Sequence, residues 1–207
     1  MEKSEREYRA FNLICRGKQT EESEAEYIVE GYASTFDRYL LWDDGEVVIY
    51  EEISEDAFEG CDFNDCVFRI DHSGPVYARV SAGTVELDVD ERGLHNINDL
   101  SRTEASRKIF EEIKAGNYPQ MSFAFSVAED HYDKETHTRV IDRINKVYDI
   151  SPVTWPANPN TSLSARSRDL IDGVIEKEKA ERLEQERREQ LVARIEKATK
   201  EVVDNDT

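Results

Sequence analysis

Gly116-Asn-Tyr-Pro-Gln-Met-Ser-Phe-Ala-Phe125 is the stretch on which the fold turns. It reads as a β-strand with Phe123 and Phe125 on one face, and Met121, Ser122 and Ala124 among its other positions. A small hydroxyl inside such an apolar run is either satisfied by a neighbour or put to chemical use. Two other segments favour use. Arg69-Ile-Asp-His72 sets a histidine at the end of a strand-like run, and Val147-Tyr-Asp-Ile-Ser-Pro-Val-Thr-Trp-Pro-Ala-Asn158 sets Asp149 between apolar residues. Serine, histidine and carboxylate on separate elements are the parts of a nucleophilic hydrolase.

Most of the remaining pattern is strand. Residues 27–36 are β-friendly with a candidate bulge at Gly31, and Glu46-Val-Val-Ile-Tyr50 and residues 66–70 are further candidates. Ser54-Glu-Asp-Ala-Phe58 reads as a short helical turn capped by Ser54, with Gly60 just past its end. Residues 83–90 alternate, turning Val85, Leu87 and Val89 inward, and the turn Asp90-Glu-Arg-Gly93 leads into another strand from Leu94. Ser101 and Glu104 have capping-box spacing ahead of an apolar stripe of Ala105, Ile109, Phe110 and Ile113, which Gly116 ends. Strands over about 119–129 and 139–150 flank a polar turn. The fold class expected is mainly β with helices (α+β), most economically a compact antiparallel β-barrel or sheet with a C-terminal charged helix.

Charge divides the chain. Residues 168–207 carry nine Lys/Arg against twelve Asp/Glu, whereas residues 1–167 carry eighteen against thirty-four. With the Ser/Arg-rich Ser162-Leu-Ser-Ala-Arg-Ser-Arg168, this predicts a boundary near residue 166. The organisation expected is a polar arm with a first strand over 1–26, a β-domain over 27–166 and a charged helical tail over 167–207. Within the tail, Ile171, Val174, Ile175, Leu183, Leu191, Ile195 and Val202 form an intermittent stripe broken by Glu178, Arg182 and Arg187. That pattern fits a lone charged helix or a poor coiled coil, able to dock a partner.

The formal charge of −19 argues against a surface built for nucleic acid or anionic lipid. A polar start and the lack of any apolar run approaching 18 residues predict a soluble, cytosolic chain with no membrane contact. Cys15, Cys61 and Cys66 are too few, and odd in number, for a disulfide framework. Cys61-x4-Cys66 with His72 invites a metal reading, yet structural zinc uses a tight knuckle and four ligands, and no fourth thiol lies nearby. Buried thiols are the better expectation, and neither metal nor cofactor is called for. Ser126 and Ser151 read as structural, and His95, His131 and His137 as turn or surface residues. No Gly-x-Ser-x-Gly elbow is present, which weighs against an esterase of the α/β-hydrolase type.

Several ordered pieces together resemble the tailed-bacteriophage prohead maturation proteases, relatives of the herpesvirus capsid-assembly protease. They are Glu30-Gly-Tyr-Ala-Ser-Thr-Phe36, Ala57-Phe58, the strand ending in Asp71-His72, and Ser81-Ala-Gly-Thr-Val-Glu-Leu87 with Asp90-Glu-Arg-Gly-Leu94. Ser122-Phe-Ala-Phe125 and Asp149-Ile-Ser-Pro-Val-Thr-Trp-Pro-Ala-Asn-Pro159 complete the series. The resemblance implies a barrel of the herpesvirus-protease type, with His72 as general base, Ser122 as nucleophile and Asp149 as the acidic third member. Two departures stand out: Ser73-Gly74 follows His72 where the family often has an acidic residue, and Asp149 stands where Glu is common. Because the herpesvirus relatives use a second histidine as third member, His131 and His137 are alternatives to Asp149.

A serine endopeptidase acting on the phage major capsid protein precursor or its scaffold segment, and on its own tail, is what the resemblance implies. It would work in the host bacterial cytoplasm inside immature procapsids, without a cofactor, with homo-oligomerisation an open matter. Backbone amides in residues 158–166 are the candidate oxyanion donors. The competing reading is non-catalytic, an acidic β-domain serving as capsid scaffold or assembly chaperone.

Overall fold

A computed structural model describes residues 6–11, 16–18, 27–155 and 165–205. The chain divides into two compact units. One holds the strands (residues 1–42 and 48–164), and the other joins residues 43–47 to the C-terminal helix.

Two sheets form the first unit. The larger runs β1 (Glu7–Phe11), β10 (Gln120–Asp133), β11 (Thr138–Val153), β5 (Val48–Ile53), β4 (Tyr39–Asp43), with β6 (Val67–Ile70) and β7 (Ser73–Arg79) joined through β11. The smaller runs β2 (Arg16–Lys18), β3 (Ile28–Thr35), β9 (Gly93–Asp99), β8 (Val85–Val89). Side chains rather than a shared ladder join the sheets. Val29 and Ala33 of β3, Leu94 of β9, Phe68 of β6, and Phe123, Phe125 and Ile150 of β10 and β11 all enter one buried cluster. The helix α1 (Glu104–Lys114) contributes Phe110 and Ile113 to it.

The expected closed antiparallel barrel is therefore not found among the described residues. The mixed α+β composition holds, but the strands pair as two open sheets, and two of the pairings are parallel. β11 is sixteen residues long, and one of its edges takes β5 at its start (Thr138↔Tyr50) and β6 near its end (Asp149↔Val67), both in parallel. Parallel neighbours need long crossovers rather than hairpins, and no local turn signal announces them.

Smaller expectations shift for local reasons. The irregularity in β3 lies between Tyr32 and Ser34, not at Gly31. Thr103, not Ser101, caps α1: its Oγ1 accepts from Ser106 N at 3.0 Å, while Ser101 N is taken by Asp99 Oδ1 at 2.9 Å. Ser106 is buried where Ala105 was expected, and its hydroxyl donates to Tyr77 O at 2.8 Å, tying α1 to β7. Residues 55–60 form turns without a regular helix. Val89 is 39% exposed at the end of β8, an edge strand.

In the second unit, α2 (Ala165–Asn205) is 41 residues long, or about 60 Å at 1.5 Å per residue. Lys179 Nζ lies 2.7 Å from Asp44 Oδ2, and Arg182 Nη1 donates to Glu46 O at 3.1 Å. Leu183, Leu191, Val192 and Ile195 are all at least half exposed. Among the described residues no helix is long and apolar enough to cross a membrane.

Candidate active site

His72 stands on a two-residue turn between β6 and β7, closed by the pair Ile70↔Ser73. Asp71 and His72 both have positive φ, 47° and 54°, as a tight hairpin of this length demands. Neither is glycine, so surrounding bonds must hold the conformation. They do. Asp71 N donates to Pro152 O at 3.1 Å, and the Asp71 carboxylate accepts from Thr154 N at 2.9 Å and Thr154 Oγ1 at 2.6 Å. His72 N donates to Ser151 Oγ at 3.3 Å. The turn is thus fastened along residues 151–154 of β11 and its exit.

Beneath it, β10 and β11 pair antiparallel with Ser122 opposite Ser151 and Ala124 opposite Asp149. Period two along each strand puts Ser122, Ser151 and Asp149 on one face of the ladder. The turn lays the imidazole across that face. His72 Nδ1 is 2.6 Å from Asp149 Oδ1, and His72 Nε2 is 2.7 Å from Ser122 Oγ. A carboxylate at Nδ1 keeps the proton there, which leaves Nε2 free to accept. Ser151 Oγ donates to Asp149 Oδ1 at 2.8 Å and so fixes the carboxylate from a second side. Tyr8 of β1 meets the His72 ring edge-on, with centroids 4.7 Å apart.

The three side chains singled out in the sequence meet. The alternatives for the third position do not: His131 Nδ1 bonds Asp142 Oδ2 at 2.6 Å, and His137 lies by Tyr132 Oη at 3.4 Å. Ser122 and Asp149 are buried, whereas the His72 side chain keeps 15% of its surface. Cys66 is buried and Cys61 half-buried; burial pushes the Cys61 thiol up to about 12, and Cys66 higher still. Cys15 and most of residues 158–166, the candidate oxyanion donors, lie outside the described residues.

Sequence reading missed two features. The first is the particular task of Ser151, a structural residue whose hydroxyl holds Asp149, a placement that the Asp149-x-Ser151 spacing on one strand face signals. The second is a buried ion network beside β1. Arg9, Glu7, Glu51, Arg139 and Asp130 join it, and Arg139 is among the largest fully buried side chains. Burial alone would push the Glu51 carboxyl up, but Arg9 and Arg139 outweigh it and hold it below its ordinary range.

A hydroxyl, an imidazole and a carboxylate in this order, here on an α+β scaffold, can act as a nucleophilic, serine-type site. Residues 15–173 match the family model of the caudovirus prohead serine protease, and the chain belongs to that family. It is a serine-type peptidase of phage capsid maturation. No curated protein and no solved structure matches the chain.

Proposed function

We propose that the chain is a serine endopeptidase that cuts the major capsid protein precursor or its scaffold segment, and its own tail. It does so inside immature procapsids in the host bacterial cytoplasm, using Ser122, His72 and Asp149. The protease domain is residues 27–166, preceded by the arm and first strand of 1–26 and followed by the helical tail of 167–207.

The observation that carries this reading is the continuous chain Asp149 Oδ1–His72 Nδ1 and His72 Nε2–Ser122 Oγ, at 2.6 and 2.7 Å, drawn from three elements. Ser122 Oγ is a weak nucleophile until Nε2 accepts its proton. The oxygen then bonds the substrate carbonyl carbon, while Asp149 stabilises the imidazolium. His72 returns the proton to the departing amine as the C–N bond breaks, leaving an acyl-enzyme that water hydrolyses through the same base. No cofactor enters.

Co-expression of the Ser122→Ala protein with the capsid precursor tests this reading, with intact mass as the readout. The precursor stays uncut with the variant and is processed by the parent chain. Equal processing by both would refute the assignment.

A further inference from the structure

We propose that β1 occupies the seat of the substrate strand, and that Glu51 selects a basic side chain at the residue whose carbonyl is attacked. The inference rests on the serine-peptidase reading above and specifies its substrate.

β1 lies antiparallel on the nucleophile strand, with Ala10 opposite Ser122 and Tyr8 opposite Ala124. Extended peptides dock to sheet edges by this pairing. The carbonyl that meets the nucleophile belongs to Arg9: Ser122 Oγ donates to Arg9 O at 2.6 Å. A hydroxyl has one proton, and here two acceptors face it, Arg9 O at 2.6 Å and His72 Nε2 at 2.7 Å. The resident carbonyl is turned oxygen-first toward Ser122, so it draws the proton away from the base and does not offer its carbon. With Tyr8 against the imidazole, β1 closes a site in which Ser122 is 0% exposed. The strand lies ahead of the stretch that matches the family model, residues 15–173.

Arg9's side chain defines what an incoming strand must bring. Its guanidinium forks onto Glu51, with Nε on Oε1 and Nη2 on Oε2 at 2.8 Å, and Nη2 also meets Glu7 Oε2 at 2.8 Å. On the far side Glu51 Oε2 takes Arg139 Nη1 at 2.6 Å, and Arg139 Nη2 also meets Asp130 Oδ2 at 2.8 Å. Lifting β1 removes one cation (Arg9) and one anion (Glu7), leaving the single charge of Arg139 between two buried carboxylates. A buried carboxylate short of its cation is strongly unfavourable. A substrate strand carrying Arg or Lys at the Arg9 position restores the pairing, and an acidic residue two positions earlier reproduces Glu7. The substrate inferred is an extended segment of the form acid-x-base, cut after the base.

The intact chain is incubated with octapeptides that differ only in the residue before the scissile bond, Arg, Lys, Leu, Gln or Glu, and cleavage is followed by mass spectrometry. Ser122 reactivity is followed in parallel with a fluorophosphonate, in the parent and in a folded Arg9→Ala chain. Arg and Lys peptides are expected to be cut at least tenfold faster than Leu or Gln peptides, and Arg9→Ala is expected to label at least tenfold faster than the parent. Equal cutting of Arg and Leu peptides overturns the inference while leaving the peptidase intact. So does labelling of Ser122 with no peptide cut, or unchanged labelling in Arg9→Ala. Absence of both labelling and cutting in both chains overturns the serine-peptidase reading itself.

Discussion

Replacing Asp149 with Asn separates a catalytic carboxylate from a structural one. The two side chains have nearly the same shape, and the Asn atom that takes the place of Oδ1 must meet both His72 Nδ1 and Ser151 Oγ, which lie 2.6 and 2.8 Å from Asp149 Oδ1. The Asn amide can donate to His72 Nδ1, which favours the tautomer with the proton on Nε2. That tautomer cannot accept from Ser122. The imidazolium of the transition state also loses its counter-charge. With about 4 Å between charge centres and an effective dielectric of about 20, that attraction is about 4 kcal/mol. At about 1.36 kcal/mol per decade, it alone is worth roughly 10³ in kcat, and the tautomer shift brings the loss toward roughly 10⁴. The assay is the initial rate of capsid-precursor cleavage at saturating substrate, with Tm measured on the same preparation. A rate within tenfold of the parent at an unchanged Tm would refute the role given to Asp149.

Three further outcomes follow from the same structure. Gly93→Ala places a Cβ 2.2 Å from Ser34 O and 2.7 Å from Thr35 Cα, at a φ of +151°; the clash is with backbone, so the fold should lose about 2 kcal/mol or more and Tm about 5 °C, and an unchanged melt would sink the packing argument. Glu51 titrates below its unfolded value because Arg9 and Arg139 outweigh its burial, so its contribution is complete above about pH 4.5 and disappears as pH falls through the folded value; urea midpoints should hold from pH 7 to 5 and drop below about 4, more steeply in the parent than in Glu51→Gln. Truncation after Ser167 removes all but the first turn of α2 and, with it, the exposed, solvent-screened pairs to Asp44 and Glu46; peptide turnover should survive while incorporation into particles is lost, and loss of turnover would instead make the helix part of the catalytic fold.

What could be read in advance depended on whether the signal was local. β8 and β9 were legible from period-two alternation about an Asp-x-x-Gly turn, and α1 from its apolar stripe and the closing Gly116. The start of α1 falls two residues later than the Ser101 spacing implied, because Thr103 Oγ1 takes Ser106 N while Ser101 N closes a turn on Asp99. The parallel pairing of β6 with β11 left no trace, because register between strands some eighty residues apart is set by packing rather than by neighbours. Arg9 and Arg139 were hidden for a related reason: a charged residue reads as solvent-facing, and its burial depends on partners as distant as Glu7 and Glu51. His72, Ser122 and Asp149 could each be named, but not the positive-φ turn that carries the imidazole over the ladder.

Where β10 is regular and where it is irregular explains how that placement is held. From Gln120↔Val153 to Ala124↔Asp149 the pairing with β11 runs without a break, and the first shift falls between Ala124 and Phe125. Three more shifts follow before Asp130. Bulges bend a strand and increase its twist, so the distal half of β10 curves while the first five pairs stay in register. Those five pairs hold Ser122, Ser151, Asp149 and the Pro152 anchor of the histidine turn, and the Thr154 anchor follows just past the end of β11. A slip of one residue would send Ser122 to the opposite face, where the stacked Phe123 and Phe125 rings lie. Those rings, buried in the core, make the slip costly, because it would turn two aromatic side chains out of it. The apolar residues beside the serine therefore fix its register, and the turn bound to β11 fixes the base against it. Both constraints act through one rigid segment, which suits chemistry that tolerates displacements of only about 0.5 Å.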